Sequence, residues 1–223
     1  MEKPAYKRVL VKLSGEALAA GGDGILNFDY LKKVCGVIKR CVDAGTQVSI
    51  VVGAGNIWRG RQGADMDRTR ADQMGMLATT INCLALQDVF EQLGVETRVM
   101  TAIEMKQFAE PYIRNKAISH LNKGRVVIFG CGIGSPFFST DTAGNVDGVY
   151  TADPKKDPNA KKLGSIDYID ILSQGLSVLD FTATSFSMEN KIPILLFGLD
   201  DPENIYRAVM GEKIGTIVGG TEK

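Results

Sequence analysis

Residues 48–56 read VSIVVGAGN, a strand-forming run followed by a loop that contains Gly53 and Gly55. A short run that is apolar on both faces is typical of a strand in a parallel sheet, which helices cover on both sides. The same arrangement recurs at residues 9–15 and 126–134. Because ligands bind beyond the carboxyl ends of the strands in such sheets, the recurrence predicts a site built from three loops.

Amphipathic helices alternate with these strands. Residues 31–42 have apolar side chains at three- and four-residue spacings, between Asn27 or Asp29 as the N-cap and Gly45 as the stop. A long helix over residues 69–93 is predicted to turn the following side chains inward: Met74, Leu77, Ile81, Leu84 and Val89. Further helices are predicted at 113–123, 181–189 and 204–210, and further strands at 97–100, 193–197 and 216–218. This order predicts an α/β fold, a three-layer α/β/α sandwich around a mainly parallel sheet.

Composition narrows the class of protein. The chain has 223 residues, 44% of them hydrophobic and 23% charged, which fits one globular domain over residues 1–223. Lys plus Arg and Asp plus Glu both number 26, so the net charge is zero and no nucleic-acid partner is expected. We find neither a signal peptide nor an apolar run of the ~20 residues that a membrane span needs, and predict a cytoplasmic protein. The following cysteines are expected in the core: Cys35, Cys41, Cys83 and Cys131.

The loops suit phosphate groups, because glycines let backbone N–H groups approach an anion. Neither a Walker motif nor the dinucleotide-binding G-x-G-x-x-G fingerprint occurs. Lys12 lies in a run that we expect to be buried. Burying its charged amine would cost free energy unless the amine meets an anion, although the side chain could instead extend to solvent. Arg59 follows the second glycine loop and could grip a phosphate, or lie on the surface. The only histidine, His120, is interpreted as a surface or packing residue, so the chemistry should need no histidine base.

Three aspartates are candidate site residues, and two of them have two interpretations each. Asp72 begins an apolar helical run and could be a helix-capping or first-turn carboxylate, or a ligand contact. Asp180 precedes a predicted helix and could cap it or act in the site. Asp141 follows a hydroxyl-rich turn that suits a base or a sugar. Phosphoryl transfer to an ionised phosphate requires only positioning and charge neutralisation, which these loops and cations could supply.

The motifs together resemble bacterial uridylate kinases, in the amino acid kinase superfamily. The resemblance runs in order along nearly the whole chain and is carried by six segments: KRVLVKLSGEAL (7–18), GAGNIWRG (53–60), ADQMGML (71–77), PFFSTDT (136–142), VDGVYTADP (146–154) and MGEKIGT (210–216). It implies the amino acid kinase fold and Mg²⁺-dependent transfer of the γ-phosphate of ATP to UMP. It also implies a homohexamer that GTP activates and UTP inhibits.

The resemblance assigns roles to individual residues. Lys12 would neutralise the transferring phosphoryl group, while Asp141 and Asp180 would orient the lysine and the Mg²⁺, which binds with ATP. ATP would contact Lys12, Leu13, Ser14, Gly15, Gly55, Arg59, Asn145, Tyr150 and Asp153. UMP would contact Ala54, Asp72, Ile133, Gly134, Ser135, Pro136, Phe137, Phe138, Ser139 and Thr140.

The sequence departs from the family in three places. Ala54 replaces a glycine, and the loop at residues 19–24, where effectors bind, differs in detail. Between Ala143 and Val146 about one and a half dozen family residues are absent, including a helix, a central strand and a second catalytic lysine. Since a domain is stable by only ~5–15 kcal/mol, losing a central strand should unfold it. We therefore expect the mature protein to contain the segment.

Two other functions stay open. If the deletion is genuine, the chain would be a non-catalytic nucleotide-binding regulator. A kinase acting on a carboxylate or carbamate is the other alternative. The segments at residues 71–77 and 137–141 disfavour it, because they match the nucleotide-specific members of the family.

Overall fold

The computed structural model describes residues 3–20, 22, 24–58, 65–135, 147–152, 154, 157–173, 179 and 181–219. The chain divides into two compact units, Met1–Thr140 with Val209–Gly211, and Asp141–Ala208 with Glu212–Lys223. Two compact units can belong to one domain, so the single domain over residues 1–223 stays a prediction.

The first unit contains a five-stranded sheet in the order β1-β2-β5-β3-β4, in which every neighbouring pair is parallel. Its elements are β1 Arg8–Leu13, α1 Gly15–Ala19, α2 Phe28–Asp43, β2 Gln47–Val52, α3 Arg68–Gln92, β3 Thr97–Thr101, β4 Glu110–Pro111, α4 Arg114–Asn122 and β5 Val126–Gly130. Val11, Ile50, Ile128 and Val99 form one row across the sheet. The strands predicted from the three recurrent runs are confirmed.

Helices cover both faces of this sheet. Val127 and Phe129 of β5 pack against Ala117 and Leu121 of α4. Because side chains alternate along a strand, Ile128 points to the opposite face, where α3 packs on β2, β3 and β5. Ile128 and Val127 are both fully buried. The prediction of helices on both sides of a parallel sheet is therefore confirmed.

The ends of α2 follow the sequence signals. The Asn27 side chain accepts a hydrogen bond from the Tyr30 N–H at 3.1 Å, so Asn27 is the N-cap and Asp29 lies in the first turn. Gly45, just beyond the helix, has φ +97°, a conformation that few side chains tolerate. Cys35 and Cys41 of α2 are buried free thiols, as are Cys83 and Cys131, which confirms the predicted role of all four.

The orientation predicted for α3 is wrong for much of the helix. Met74, Leu77 and Ile81 are 38%, 52% and 47% exposed, and Leu84 is half-buried; of the predicted set only Val89 is buried. The residues that α3 buries are Ala71, Met76, Ala78, Thr79, Thr80, Asn82, Cys83, Leu86, Val89 and Phe90. Many of these are small or polar, and they meet the carboxyl ends of the strands. The apolar periodicity therefore identified a stripe of α3 that is exposed to solvent instead of packing on the sheet.

The second unit has a three-stranded sheet in the order β6-β8-β7, with β6 parallel and β7 antiparallel to β8. Its elements are β6 Ser165–Ile166, α5 Tyr168–Ser173, α6 Phe181–Glu189, β7 Ile194–Leu196, β8 Thr216–Val218 and α7 Glu203–Met210, whose last two residues belong to the first unit. Its core contains Val149, Tyr168, Ile171, Leu196 and Val218. Within the described ranges no strand joins the two sheets. None of the described helices is long and apolar enough to span a membrane.

Candidate functional site

The loops after β1 and β2 touch at the carboxyl edge of the five-stranded sheet. A Cβ placed on Gly15 would lie 2.6 Å from both the Asn56 Oδ1 and the Gly55 backbone nitrogen, and 2.8 Å from the Gly53 carbonyl oxygen. Since real Cβ atoms do not approach other atoms so closely, only glycine fits at position 15. We call residues 14–15 the β1 loop and residues 53–56 the β2 loop. Two of the three predicted loops thus form one surface.

Three predicted ligand contacts lie in or beside these two loops. Ser14 precedes α1 with extended backbone, and its hydroxyl makes no capping hydrogen bond to that helix. The half-buried Ala54 carbonyl accepts hydrogen bonds from the Ile57 and Trp58 N–H groups, both at 2.9 Å, which closes the β2 loop as a turn. Leu13 is buried in the core, so only its backbone is available to a ligand.

Lys12 is exposed, and the argument that its strand buries it is wrong. In the described part of the sheet β1 is an edge strand. Val9 and Val11 are therefore only half-buried, and Leu10, on the same face as Lys12, is 63% exposed. Lys12 is the penultimate residue of β1, two residues before Ser14. Its position near the β1 loop, rather than burial, is therefore the reason to expect Lys12 beside an anion.

The loop after β5, residues 131–135, is the third predicted loop, and we call it the β5 loop. Cys131 has φ +65°, and the Gly134 N–H donates to the Cys131 carbonyl at 2.9 Å. A Cβ on Gly134 would lie 3.0 Å from the Ala102 Cβ, directly after β3. Ile133 and Ser135 are exposed. Three predicted UMP contacts, Ile133, Gly134 and Ser135, therefore lie at the same edge of the sheet.

Asp72 lies in the second turn of α3. Asp67 is the N-cap, and its Oδ1 accepts from the Arg70 N–H at 3.2 Å. The interpretation of Asp72 as a capping or first-turn carboxylate is therefore wrong. The Asp72 carboxylate pairs with the Arg68 guanidinium at 3.2 Å, and its side chain is 23% exposed. It is partly buried, and its remaining exposure to solvent is compatible with a ligand contact.

Two buried polar atoms in the described ranges have no hydrogen-bond partner, the Trp58 Nε1 and the Thr101 Oγ1. Trp58 follows the β2 loop, and Thr101 is the last residue of β3. Buried polar groups are usually paired, and each of these lies beside a loop at the carboxyl edge. A polar ligand or water bound there would supply the missing partner.

Tyr150, predicted to lie along the ATP nucleoside, is in the second unit. Its hydroxyl donates to the Asp147 carboxylate at 3.0 Å, which raises the pKa of Tyr150. Burial would raise the pKa of Asp147, but hydrogen bonds from Lys162 at 3.0 Å and from Tyr150 outweigh it and lower that pKa. Asp147 and Lys162 line a cavity of about 570 Å³ whose other walls are Leu163, Gly164, Phe197, Gly198, Asp200, Asp201, Asn204, Arg207, Lys213, Ile214 and Gly215.

Several predicted site residues lie outside the described residues: Arg59, Pro136, Phe137, Phe138, Ser139, Thr140, Asp141, Asn145, Asp153 and Asp180. Their roles stay predictions. His120 is largely buried on α4, with Nε2 3.2 Å from the Glu110 carboxylate and Nδ1 3.1 Å from the Arg125 guanidinium. These contacts agree with a packing role. No three His, Cys, Asp or Glu side chains form a metal-binding group among the residues described.

Sequence reasoning overlooked three residues behind the loops. Asn82, Thr79 and Thr80 of α3 are buried, and each makes a hydrogen bond to the β2 loop or the β5 loop. Three polar residues within one turn of the otherwise apolar stretch 74–86 were the signal that could have found them.

The amino acid kinase family model matches residues 7–145 and 142–198. The crystal structure of UMP kinase from Bacillus anthracis is 39% identical, with 96% of each chain covered and a TM-score of 0.90. UMP kinase from Ureaplasma parvum is 35% identical, with 96% of this chain and 98% of that chain covered and a TM-score of 0.87. Uridylate kinase from Archaeoglobus fulgidus is 26% identical over 95% of this chain and 99% of its own, with a TM-score of 0.69.

Proposed function

This chain belongs to the amino acid kinase family and, within it, to the UMP kinases, and we propose that it transfers the γ-phosphate of ATP to UMP, giving UDP and ADP. The observation that carries the proposal is the contact of the β1 and β2 loops at Gly15, at the sheet edge that also bears the β5 loop. The reaction would serve pyrimidine nucleotide synthesis in the cytoplasm.

The chemistry needs no general base. An oxygen of the UMP phosphate, already ionised near neutral pH, attacks the γ-phosphorus of ATP, and the bond from that phosphorus to the bridging oxygen of ADP breaks. Catalysis then depends on alignment and on neutralising the charge of the transferring group. Lys12 would supply the cation from the end of β1. The backbone of the β1 and β2 loops would hold the phosphates beside it.

The remaining roles follow the motif match. ATP would lie along Leu13, Ser14, Gly15 and Gly55, with Arg59, Asn145, Tyr150 and Asp153. UMP would lie between Ala54, Asp72 on the ribose, and residues 133–140. The exposure of Ile133 and Ser135 and the partial exposure of the Asp72 carboxylate support this half of the site.

Mg²⁺ would bind with ATP. Mg²⁺ in kinases is held by substrate phosphates, water and one or two carboxylates, so the described residues need no cluster of their own. Asp141 and Asp180 would orient the ion and Lys12. When bound, Mg²⁺ withdraws charge from the phosphates.

A homo-oligomer, by the family pattern a hexamer, is also proposed. Support comes from Met74, Leu77 and Ile81, whose exposed side chains form an apolar stripe along α3. Such a stripe is a common mark of a subunit interface. GTP activation and UTP inhibition are proposed from the resemblance alone.

A specific observation favours a second candidate, a nucleotide-binding regulator without turnover. The family match falls into two segments that overlap at residues 142–145. By the motif resemblance, the second lysine and the central strand of the family would lie at this point of the chain. The described strands correspondingly form two sheets. An intact mass of 24.1 kDa would establish a genuine deletion, whereas a larger mass would show that the mature chain has the segment.

Incubation with MgATP and UMP, CMP, AMP, acetylglutamate or carbamate, each separately, tests the proposal by ADP release. We expect fast turnover with UMP alone. Turnover with acetylglutamate or carbamate would instead indicate the carboxylate- or carbamate-kinase alternative. Nucleotide binding by calorimetry without turnover would support the regulator.

A further inference from the structure

The middle of α3 buries three polar side chains on a face that packs on the sheet, where apolar side chains are expected. Thr79 and Thr80 are 4% exposed and Asn82 is 0% exposed. Burying amide and hydroxyl groups is unfavourable unless each finds a hydrogen-bond partner. Here the partners lie in the β2 loop, in the β5 loop and in α3 itself. We call Thr79, Thr80 and Asn82 the polar turn.

Asn82 holds the β2 loop at both ends. Its Nδ2 donates to the Gly53 carbonyl at 2.7 Å and to the Asn56 Oδ1 at 2.8 Å. The Asn56 Nδ2 donates back to the Asn82 Oδ1 at 3.0 Å and also to the Ile25 carbonyl at 2.6 Å. Both amide hydrogens and the carbonyl of Asn82 are therefore used in orienting this loop. The loop in turn contacts Gly15 through the same Asn56 Oδ1.

Thr79 and Thr80 hold the start of the β5 loop. The Thr79 hydroxyl donates to the Met76 carbonyl at 2.6 Å and accepts from the Cys131 N–H at 2.8 Å. The Thr80 Oγ1 lies 3.2 Å from the Cys131 Sγ. Cys131 has φ +65°, a conformation that a residue with a side chain keeps only when its surroundings enforce it. The two threonines supply that constraint, and the loop then turns back through Gly134.

We propose that the polar turn is a positioning element that holds the β2 loop and the β5 loop in one relative geometry. This inference rests on the proposed function, in which the β2 loop contacts the phosphates of both nucleotides and the β5 loop contacts UMP. Thr79 and Asn82 lie in one turn of α3, so the same rigid segment fixes the positions of the β2 loop and the β5 loop. In-line transfer is sensitive to such alignment, because a displacement of about 1 Å can lower the rate about 10²-fold.

The first test compares Thr79→Val with Thr79→Ser. Valine keeps the shape of the side chain but removes the acceptor for the Cys131 N–H, whereas serine retains the hydroxyl. We expect kcat for UMP phosphorylation to fall at least about tenfold in Thr79→Val, because the Cys131 N–H loses its acceptor and the β5 loop is no longer held in alignment. Thr79→Ser should restore most of kcat. A Ser variant as slow as the Val variant would overturn the proposal.

A buried threonine at the other end of the sheet is the matched control. Thr97 is fully buried at the start of β3, and its hydroxyl donates to the Val95 carbonyl at 3.1 Å. Thr97→Val should lower the melting temperature as Thr79→Val does but leave kcat unchanged. Equal losses of kcat in the two variants would mean that the polar turn only stabilises the fold. Thr80→Val, a milder change, replaces Thr79→Val if the latter does not fold.

Asn82→Ala tests whether the polar turn holds the β2 loop and the β5 loop together. We expect kcat to fall at least about tenfold, and the double variant Asn82→Ala/Thr79→Val to lose less than the product of the single losses. Multiplicative losses would show that the loops are held independently, which contradicts the proposal.

Wild-type turnover separates this inference from the proposed function. If the wild type does not phosphorylate UMP, the proposed function fails. Calorimetric binding of UMP and of ATP to the same variants then decides the inference. Weaker binding in Thr79→Val than in Thr97→Val, by at least about tenfold, would support the polar turn. Equal affinities, or no binding by the wild type, would overturn it.

Discussion

Replacing Gly15 by alanine tests the contact on which the proposed site is built. The added methyl group would lie 2.6 Å from the Asn56 Oδ1 and the Gly55 nitrogen and 2.8 Å from the Gly53 oxygen, where ordinary contacts begin at 3.4 Å. The β1 and β2 loops would have to separate by 0.6 to 0.8 Å. Gly53 and Gly55 meet the methyl with backbone atoms, so no flexible side chain can absorb this displacement.

The expected cost follows from these distances. Overpacking of this kind destabilises by about 1–3 kcal/mol, and the higher helix propensity of alanine in α1 returns at most about 1 kcal/mol. A protein of this size loses about 2–4 °C of melting temperature per kcal/mol. Loop separation should also lower kcat/KM for UMP phosphorylation by between about tenfold and 10²-fold.

Gly36→Ala is the matched control, since it makes the same substitution inside α2 with no atom within 4 Å of the new methyl. It should raise the melting temperature by about 2–4 °C, because alanine is favoured over glycine in a helix by about 1 kcal/mol. Thermal unfolding followed by circular dichroism and steady-state kinetics check both variants. If Gly15→Ala were as stable and as active as Gly36→Ala, the two loops could not be in contact and the proposed site would be wrong.

Three further predictions concern charge and assembly. Lys12→Ala should lower kcat by at least about 10²-fold while changing stability by less than about 0.5 kcal/mol, because the side chain is exposed; an unchanged kcat would remove Lys12 from the chemistry. Leu77→Arg should reduce the mass measured by analytical ultracentrifugation, whereas Ile169→Arg, a control at a still more exposed position, should not; equal masses would exclude α3 as the interface. Arg125 donates hydrogen bonds that lower the pKa of Glu96, so Glu96 adds stability above its unfolded pKa and loses it as pH falls through the lower folded pKa. The melting-temperature difference between wild type and Arg125→Met should therefore shrink below about pH 4, and a constant difference would contradict this.

The order of strands and helices could be predicted from the sequence because its signals are local. Asn27 and Gly45 bound α2 through contacts within a few residues. The apolar runs at 48–52 and 126–129 form inner strands of a parallel sheet that helices cover on both faces, the environment typical of such runs. Four short elements, α1, β4, β6 and α5, escaped prediction because two to six residues carry little periodicity, although the three-residue strands β7 and β8 were predicted.

The motifs in the chain determined its family and placed the glycine loops at strand ends, since both are properties of consecutive residues. Tertiary structure alone decided which stripe of α3 is buried, because periodicity defines a stripe but not the surface it meets. It also decided that Lys12 is exposed, since that depends on β1 having one neighbouring strand in the described sheet. The polar turn could not be predicted either. Its hydrogen bonds join Asn82 to Asn56 and Thr79 to Cys131, 26 and 52 residues apart, and such pairs meet only when the helix packs on the sheet.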